Sequence, residues 1–273
     1  MKTSILVAAL VISGLCVFSR CSTKTSAAPL NVDSLVRKMT EASGGDSAIG
    51  AIRTHVSEYE SIGKKGTDFE AVYYRSTITF KRPSMFRMDI FDKQDSLTYS
   101  AATNGEEGWE YFPKEGARPI HKMKTAELVS WAEHWIDEWR IYKEIELDVK
   151  YVGEVAIRDT LPCYKMFIKD RFGIESYWYV DKKNLYMARI EYPVFDSQSG
   201  RKEGHNVRDF VEYKDVDVMF PTQEVMDGKI TNTMHRWRTN AKLSDTVFML
   251  NAVNVPASSR FLRALTQNGG ALR

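Results

Sequence analysis

The residues best equipped for chemistry are few and scattered. His134 stands beside Glu133, Asp137 and Glu138, and a histidine and a carboxylate four residues apart share one helix face, which is half of a metal site. The other histidines (His55, His121, His205 and His235) are dispersed, and no second His or Cys cluster has ligand spacing. A solvated helix face is the plainer reading, so neither a metal nor a cofactor is expected. Acidic residues are numerous enough to pair anywhere: Glu106 and Glu107 follow Asn104-Gly105, and Glu175 and Glu191 fall in strand-like alternations. A sheet with one wet face produces that pattern without catalysis. There is no Gly-x-Ser-x-Gly, no Cys–His pairing with a family context, and no phosphate-binding glycine loop. The expectation is a protein that is not an enzyme.

Aromatic side chains carry more information. Phe80, Phe86, Phe91, Trp109, Tyr111, Phe112, Phe167, Trp178 and Trp237 fall in strand-like runs. Between the strands, residues 124–145 place Leu128, Trp131, Trp135 and Trp139 at helical spacing, with Thr125 as the expected cap. Such a helix either seals a sheet as core or covers a cavity as a lid.

Period-two alternation begins at His55 and persists through about ten short strands. Asn104-Gly105 and Asp227-Gly228 supply the positive-φ residues of tight hairpins. Two helices precede the strands, one starting near Asn31 or Asp33 and ending at residues 43–45, the second capped by Asp46. The fold class predicted is mainly β (α+β): a large, curved antiparallel sheet forming an incomplete β-barrel covered by a few helices.

The N-terminus reads as an export signal. Lys2 precedes a 14-residue apolar run, Ile5 to Phe18, too short to cross a ~30 Å hydrocarbon core comfortably. We expect a signal peptide at 1–20, a tether at 21–30, the folded domain at 31–250 and a tail at 251–273. Cys21 is a lipidation candidate although Arg20 precedes it; cleavage near Ala27 is the other option. Loss of Lys2 and Arg20 takes the net charge from +2 to 0, which argues against nucleic acid as a partner. Cys163 is then alone in the body, so no internal disulfide forms and packing must hold the fold.

The segments "FKRPSMFRMDIFD" and "TNGEEGWEYFP" resemble the LolA-type carriers of outer-membrane lipoproteins and their LolB-like relatives. The matching positions are Arg82-Pro83, Phe86, Asn104-Gly105, Trp109, Tyr111 and Pro113, and later segments fit in order from about residue 31 to 248. The resemblance implies a half-open barrel plugged by helices around an apolar cavity for acyl chains. It also implies that Arg82 latches the helical lid by bonding its backbone carbonyls. Expected ligand-binding residues are Arg82, Phe86, Trp109, Tyr111, Trp131 and Trp135, with Phe86 and Met88 facing inward and Arg87 and Asp89 outward. The implied protein is a monomer in the periplasm, soluble or anchored to the outer membrane. Its partners are lipid or lipoprotein acyl chains and a membrane-bound loading or accepting protein. A scaffold with a filled core and a carboxylate hydrolase of envelope polymers are the alternatives.

Overall fold

The computed structural model describes residues 30–135 and 138–249, except for the side chains of residues 134, 135 and 138. The expected signal peptide and tail, and the expected tether up to residue 29 with Cys21, lie outside the described residues, and so does the side chain of Trp135.

Two short helices open the domain. In α1 (Val32–Ala42), Asn31 is the cap, accepting the Ser34 N–H at 3.0 Å, and Leu35 and Met39 are buried. Gly44 and Gly45 then take positive φ and end the helix. In α2 (Asp46–Ala51), Gly45 holds the cap position and Asp46 the first turn, a one-residue correction to the expected cap.

Among the described residues thirteen strands follow: β1 (Thr54–Gly63), β2 (Tyr73–Lys81), β3 (Met85–Phe91), β4 (Leu97–Thr103), β5 (Gly108–Phe112), β6 (Gly116–Pro119), β7 (Asp148–Ile157), β8 (Leu161–Lys169), β9 (Glu175–Asp181), β10 (Met187–Phe195), β11 (Lys202–Asp215), β12 (Met219–Met226) and β13 (Ile230–Thr239). They form one antiparallel sheet, ordered β6-β5-β4-β3-β2-β1-β13-β12-β11-β10-β9-β8-β7. The sheet does not close, so this is the expected incomplete barrel. Sequence alternation alone misses β6, because a four-residue strand shows too few alternations. The β12–β13 hairpin turns on Asp227 and Gly228, at φ 51° and 68°.

The two edge strands, β6 and β7, are consecutive in sequence, so the chain between them must cross the open side. That crossing carries α3 (Lys122–Trp135) and a 3₁₀ turn, Glu138–Ile141. The single helix expected over 124–145 is therefore two pieces, and Trp139 lies on the tighter one. The N-terminus of α3 is also earlier than expected. His121 caps it, its Nδ1 accepting the Met123 N–H at 3.1 Å, with Thr125 already inside the helix. Leu128 and Ala132 of α3 pack with Ile49 and Ile52 onto Ile78, Phe80 and Phe86, forming the main core. No helix among the described residues is long and apolar enough to cross a membrane.

Candidate functional site

Register assigns every strand residue to a face. Phe80 pairs with Phe86 and Ile78 with Met88, and Phe86, Met88 and Ile90 lie opposite Thr103, Ala101 and Tyr99. These residues share the face covered by α3. Trp131 lies on that face, edge-on to Phe86 (6.0 Å between centroids) and to Tyr192 (5.8 Å). Two cavities border it. One, about 90 Å³, runs toward Trp139, Trp178 and Ile190, and the other, about 230 Å³, toward Ile78, Phe86 and Met88. Both are lined by Tyr59, Trp131, Tyr192, Arg208 and Glu224.

On the wall they share sits a polar cluster that sequence reasoning missed. Arg208 on β11 pairs with Glu224 on β12 at 3.4 Å and donates to the Tyr192 hydroxyl at 3.2 Å. Its guanidinium lies 5.7 Å from the centroids of both Trp131 and Tyr192. Glu224 also accepts from Asn232 Nδ2 on β13 at 2.9 Å. Burial, then the Glu224 charge, push the Tyr59 hydroxyl well above the usual phenol range, so it stays protonated. Glu224 shares its strand parity with Phe220 and Met226, and that charged residue among inward apolar ones was the available signal.

The helices are fastened to the sheet by separate sets of polar contacts. Arg82 Nε donates to the Ile52 carbonyl at 2.6 Å and its Nη2 to the Ile49 carbonyl at 3.2 Å, both at the C-terminal end of α2. The helix that carries Trp131 is held differently. Glu127 accepts from Lys124 at 2.9 Å and from the Phe195 backbone N–H on β10 at 3.0 Å, and Glu133 pairs with Arg171 in the β8–β9 turn. Burial raises both carboxyls above their ordinary values, and these pairs pull them back down. Glu133 is 4% exposed and paired with Arg171, so at this residue the expected solvated helix face is buried. No group of metal-ligating side chains occurs among the described residues.

Trp109 and Tyr111 do not join Phe86. Their strand places Gly108, Glu110 and Phe112 on the α3 side, while Trp109 lies opposite Ala102 and, across it, Arg87 on the outer face. There the Arg87 guanidinium stacks 5.5 Å from the Trp109 centroid and pairs with Asp89 at 2.9 Å, and Ser100 donates to Asp89 at 2.6 Å. The segment Asp245–Phe248 seals this patch. Trp109 Nε1 donates to the Phe248 carbonyl and Arg87 Nη1 to the Val247 carbonyl, each at 3.0 Å. Arg87 and Asp89 do face outward as expected, but under this strap both are buried. Trp109 is therefore a clamp for the C-terminal segment rather than a cavity residue, and Tyr111 shares its outward parity.

No protein-family model matches the sequence, and no curated protein does either. Solved structures do match. A DUF1329 family protein from Desulfovibrio piger aligns at TM-score 0.53 and 16% identity, covering 81% of this chain and 98% of that one. A LolA superfamily protein from Nitrosomonas europaea aligns at TM-score 0.53 and 13% identity, covering 81% and 98%. The fold is LolA-like. An outer membrane lipoprotein-sorting protein domain from Vibrio parahaemolyticus shares it at TM-score 0.53 and 11% identity, covering 81% of this chain and 99% of that one. At these identities the likeness is one of architecture, and function in a LolA-like sheet has to be argued from its interior.

Proposed function

We propose that this protein is an exported, non-enzymatic binder of lipid or lipoprotein acyl chains, acting as carrier or acceptor in envelope lipoprotein trafficking. The observation that carries the reading is the aromatic-lined interior under Trp131, covered by a helix that polar side chains tie to the sheet. The Vibrio structure, described as a lipoprotein-sorting domain, supports the same reading by architecture. Neither cavity alone reaches the ~300 Å³ at which drug-sized ligands are held, so loading requires α3 to lift. A chain of about 15 carbons gains roughly 12 kcal/mol gross on burial, at ~0.8 kcal/mol per methylene. Release then needs the closing helices to compete for the same space, and Arg82 is the latch on the α2 side. Five buried carboxylates, Asp89, Glu110, Glu127, Glu133 and Glu224, are each paired with a cation, which argues against a hydrolytic role for them.

In this reading Cys21 decides the role: lipidated, it anchors a stationary acceptor, and otherwise the protein is a soluble periplasmic shuttle that meets a membrane-bound loading or accepting protein. Intact mass spectrometry of protein purified from its envelope fraction tests both points. A native-only mass lost on denaturation is the expected result, and a covalent acyl mass on Cys21 identifies the anchored form. A bare polypeptide under both conditions sinks the carrier reading in favour of a filled-core scaffold.

A further inference from the structure

We propose that the interior takes an apolar chain bearing a hydrogen-bond donor part-way along it, a hydroxyl or an amide N–H, and that Asn232 reads that donor. The inference rests on the lipid-binding reading and specifies its ligand class.

Asn232 lies on β13 opposite Ser61 of β1 and Glu224 of β12, and it lines the 230 Å³ cavity. It is 8% exposed. Its Nδ2 donates to Glu224 at 2.9 Å, and an ionised carboxylate only accepts, so the amide is oriented with nitrogen toward Glu224 and oxygen away. Asn232 Oδ1 is buried and makes no hydrogen bond within the protein. Leaving such an acceptor without a donor costs enough to separate two ligands that differ only in a hydroxyl. A plain acyl chain lying against Asn232 leaves the cost in place, whereas a donor on the chain removes it.

The neighbouring charges narrow the class further. Arg208 is not an open site for an anionic head, because Glu224 already pairs with it and Tyr192 accepts from it. A carboxylate that displaced Glu224 would leave that residue buried and uncompensated. The position is also wrong for a headgroup. Arg208 and Glu224 border both cavities and Asn232 the larger one, so a chain occupying both reaches Asn232 part-way along its length.

The test is displacement of a fluorescent fatty acid from the full protein by three kinds of competitor. These are hexadecanoic acid, a series of hydroxyhexadecanoic acids with the hydroxyl moved along the chain, and an N-acyl amine of similar length. At least one mid-chain donor should bind roughly tenfold tighter than hexadecanoic acid, the scale of one buried hydrogen bond. The hydroxyl and amide arms distinguish the two sources of the donor. Asn232→Leu should bring the best competitor and hexadecanoic acid within about twofold of each other. Equal affinities across the series for the wild-type protein, or a preference that survives Asn232→Leu, overturn this inference and leave lipid binding standing. Failure of every competitor to displace the probe overturns the lipid-binding reading as well. The wild-type series decides the matter even if the variant does not fold.

Discussion

Arg82 shows how a single side chain acts on its surroundings. Its guanidinium spans from the end of β2 to two carbonyls at the end of α2, which are among the groups a helix terminus leaves without intrahelical donors. Arg82→Leu removes both bonds while the apolar packing of Ile49 and Ile52 stays. The fold should persist with a loss of about 1–3 kcal/mol, and the closed form should compete less well for the interior. Stopped-flow transfer of a fluorescent fatty acid to vesicles should then be slowed several-fold or blocked, and an unchanged release rate would refute the latch. His55 makes a different prediction. It is buried against Phe220, and desolvation lowers its imidazole to about 4 from the ordinary 6.5. Between those values the unfolded chain binds a proton that the folded chain refuses. The stabilisation is therefore complete above pH 6.5 and is lost as the pH falls toward 4, by about 3 kcal/mol at most. Burial raises Glu127, Glu133 and Asp170, which titrate in the opposite sense. The readout is therefore the difference between wild type and His55→Gln in urea unfolding at about pH 7 and about pH 4.5. The wild type should lose more than the variant, and parallel losses would count against the assignment.

Elements impose a distinction that residue type conceals. Trp109 and Trp131 are both tryptophans in aromatic surroundings, yet β5 and α3 place them on opposite faces of the sheet. Trp109 is 3% exposed and fixed by its hydrogen bond to Phe248. Trp109→Ala should cost about 3–5 kcal/mol and loosen the C-terminal strap without changing lipid affinity. Trp131 is only partly buried and borders both cavities. Trp131→Ala should cost less than Trp109→Ala, and it should weaken acyl-chain binding several-fold. Paired measurements of unfolding free energy and fatty-acid affinity separate the two residues. Equal stability losses with no change in binding for either variant would mean that α3 is core, not cover. Sequence periodicity located α3 but not its end, because the tryptophan spacing continues into a segment that winds as a 3₁₀ turn.

At the scale of the whole molecule the decisive feature is the strand order. The sheet begins and ends on strands adjacent in sequence, so a single connection must bridge its opening, and that connection carries the cover. A ligand that binds the folded chain alone stabilises it by mass action, by about 2.7 kcal/mol at a hundred times Kd. For a domain of this size that amounts to roughly 5–10 °C in Tm. Differential scanning calorimetry with hexadecanoic acid and a hydroxylated analogue should show the rise. No shift with either at saturating concentration would place this LolA-like fold with the filled-core scaffolds.

Much of this was legible from the chain. Alternation and turn residues identified the strands, and the Arg82-Pro83 and Asn104-Gly105 segments identified the architecture. Parity placed Phe86 and Met88 opposite Arg87 and Asp89, because side-chain direction along a strand depends only on local geometry. What a face packs against depends on partners far along the chain. The resemblance implied that Trp109 lines the cavity, and only the docking of residues 245–248 shows why an outward face is dry. Arg208, Glu224 and Asn232 come from three strands, and their meeting depends on the register of β11 against β12 and of β12 against β13. Periodicity within one strand carries no record of its neighbour's register, so that polar cluster could emerge only from the tertiary structure.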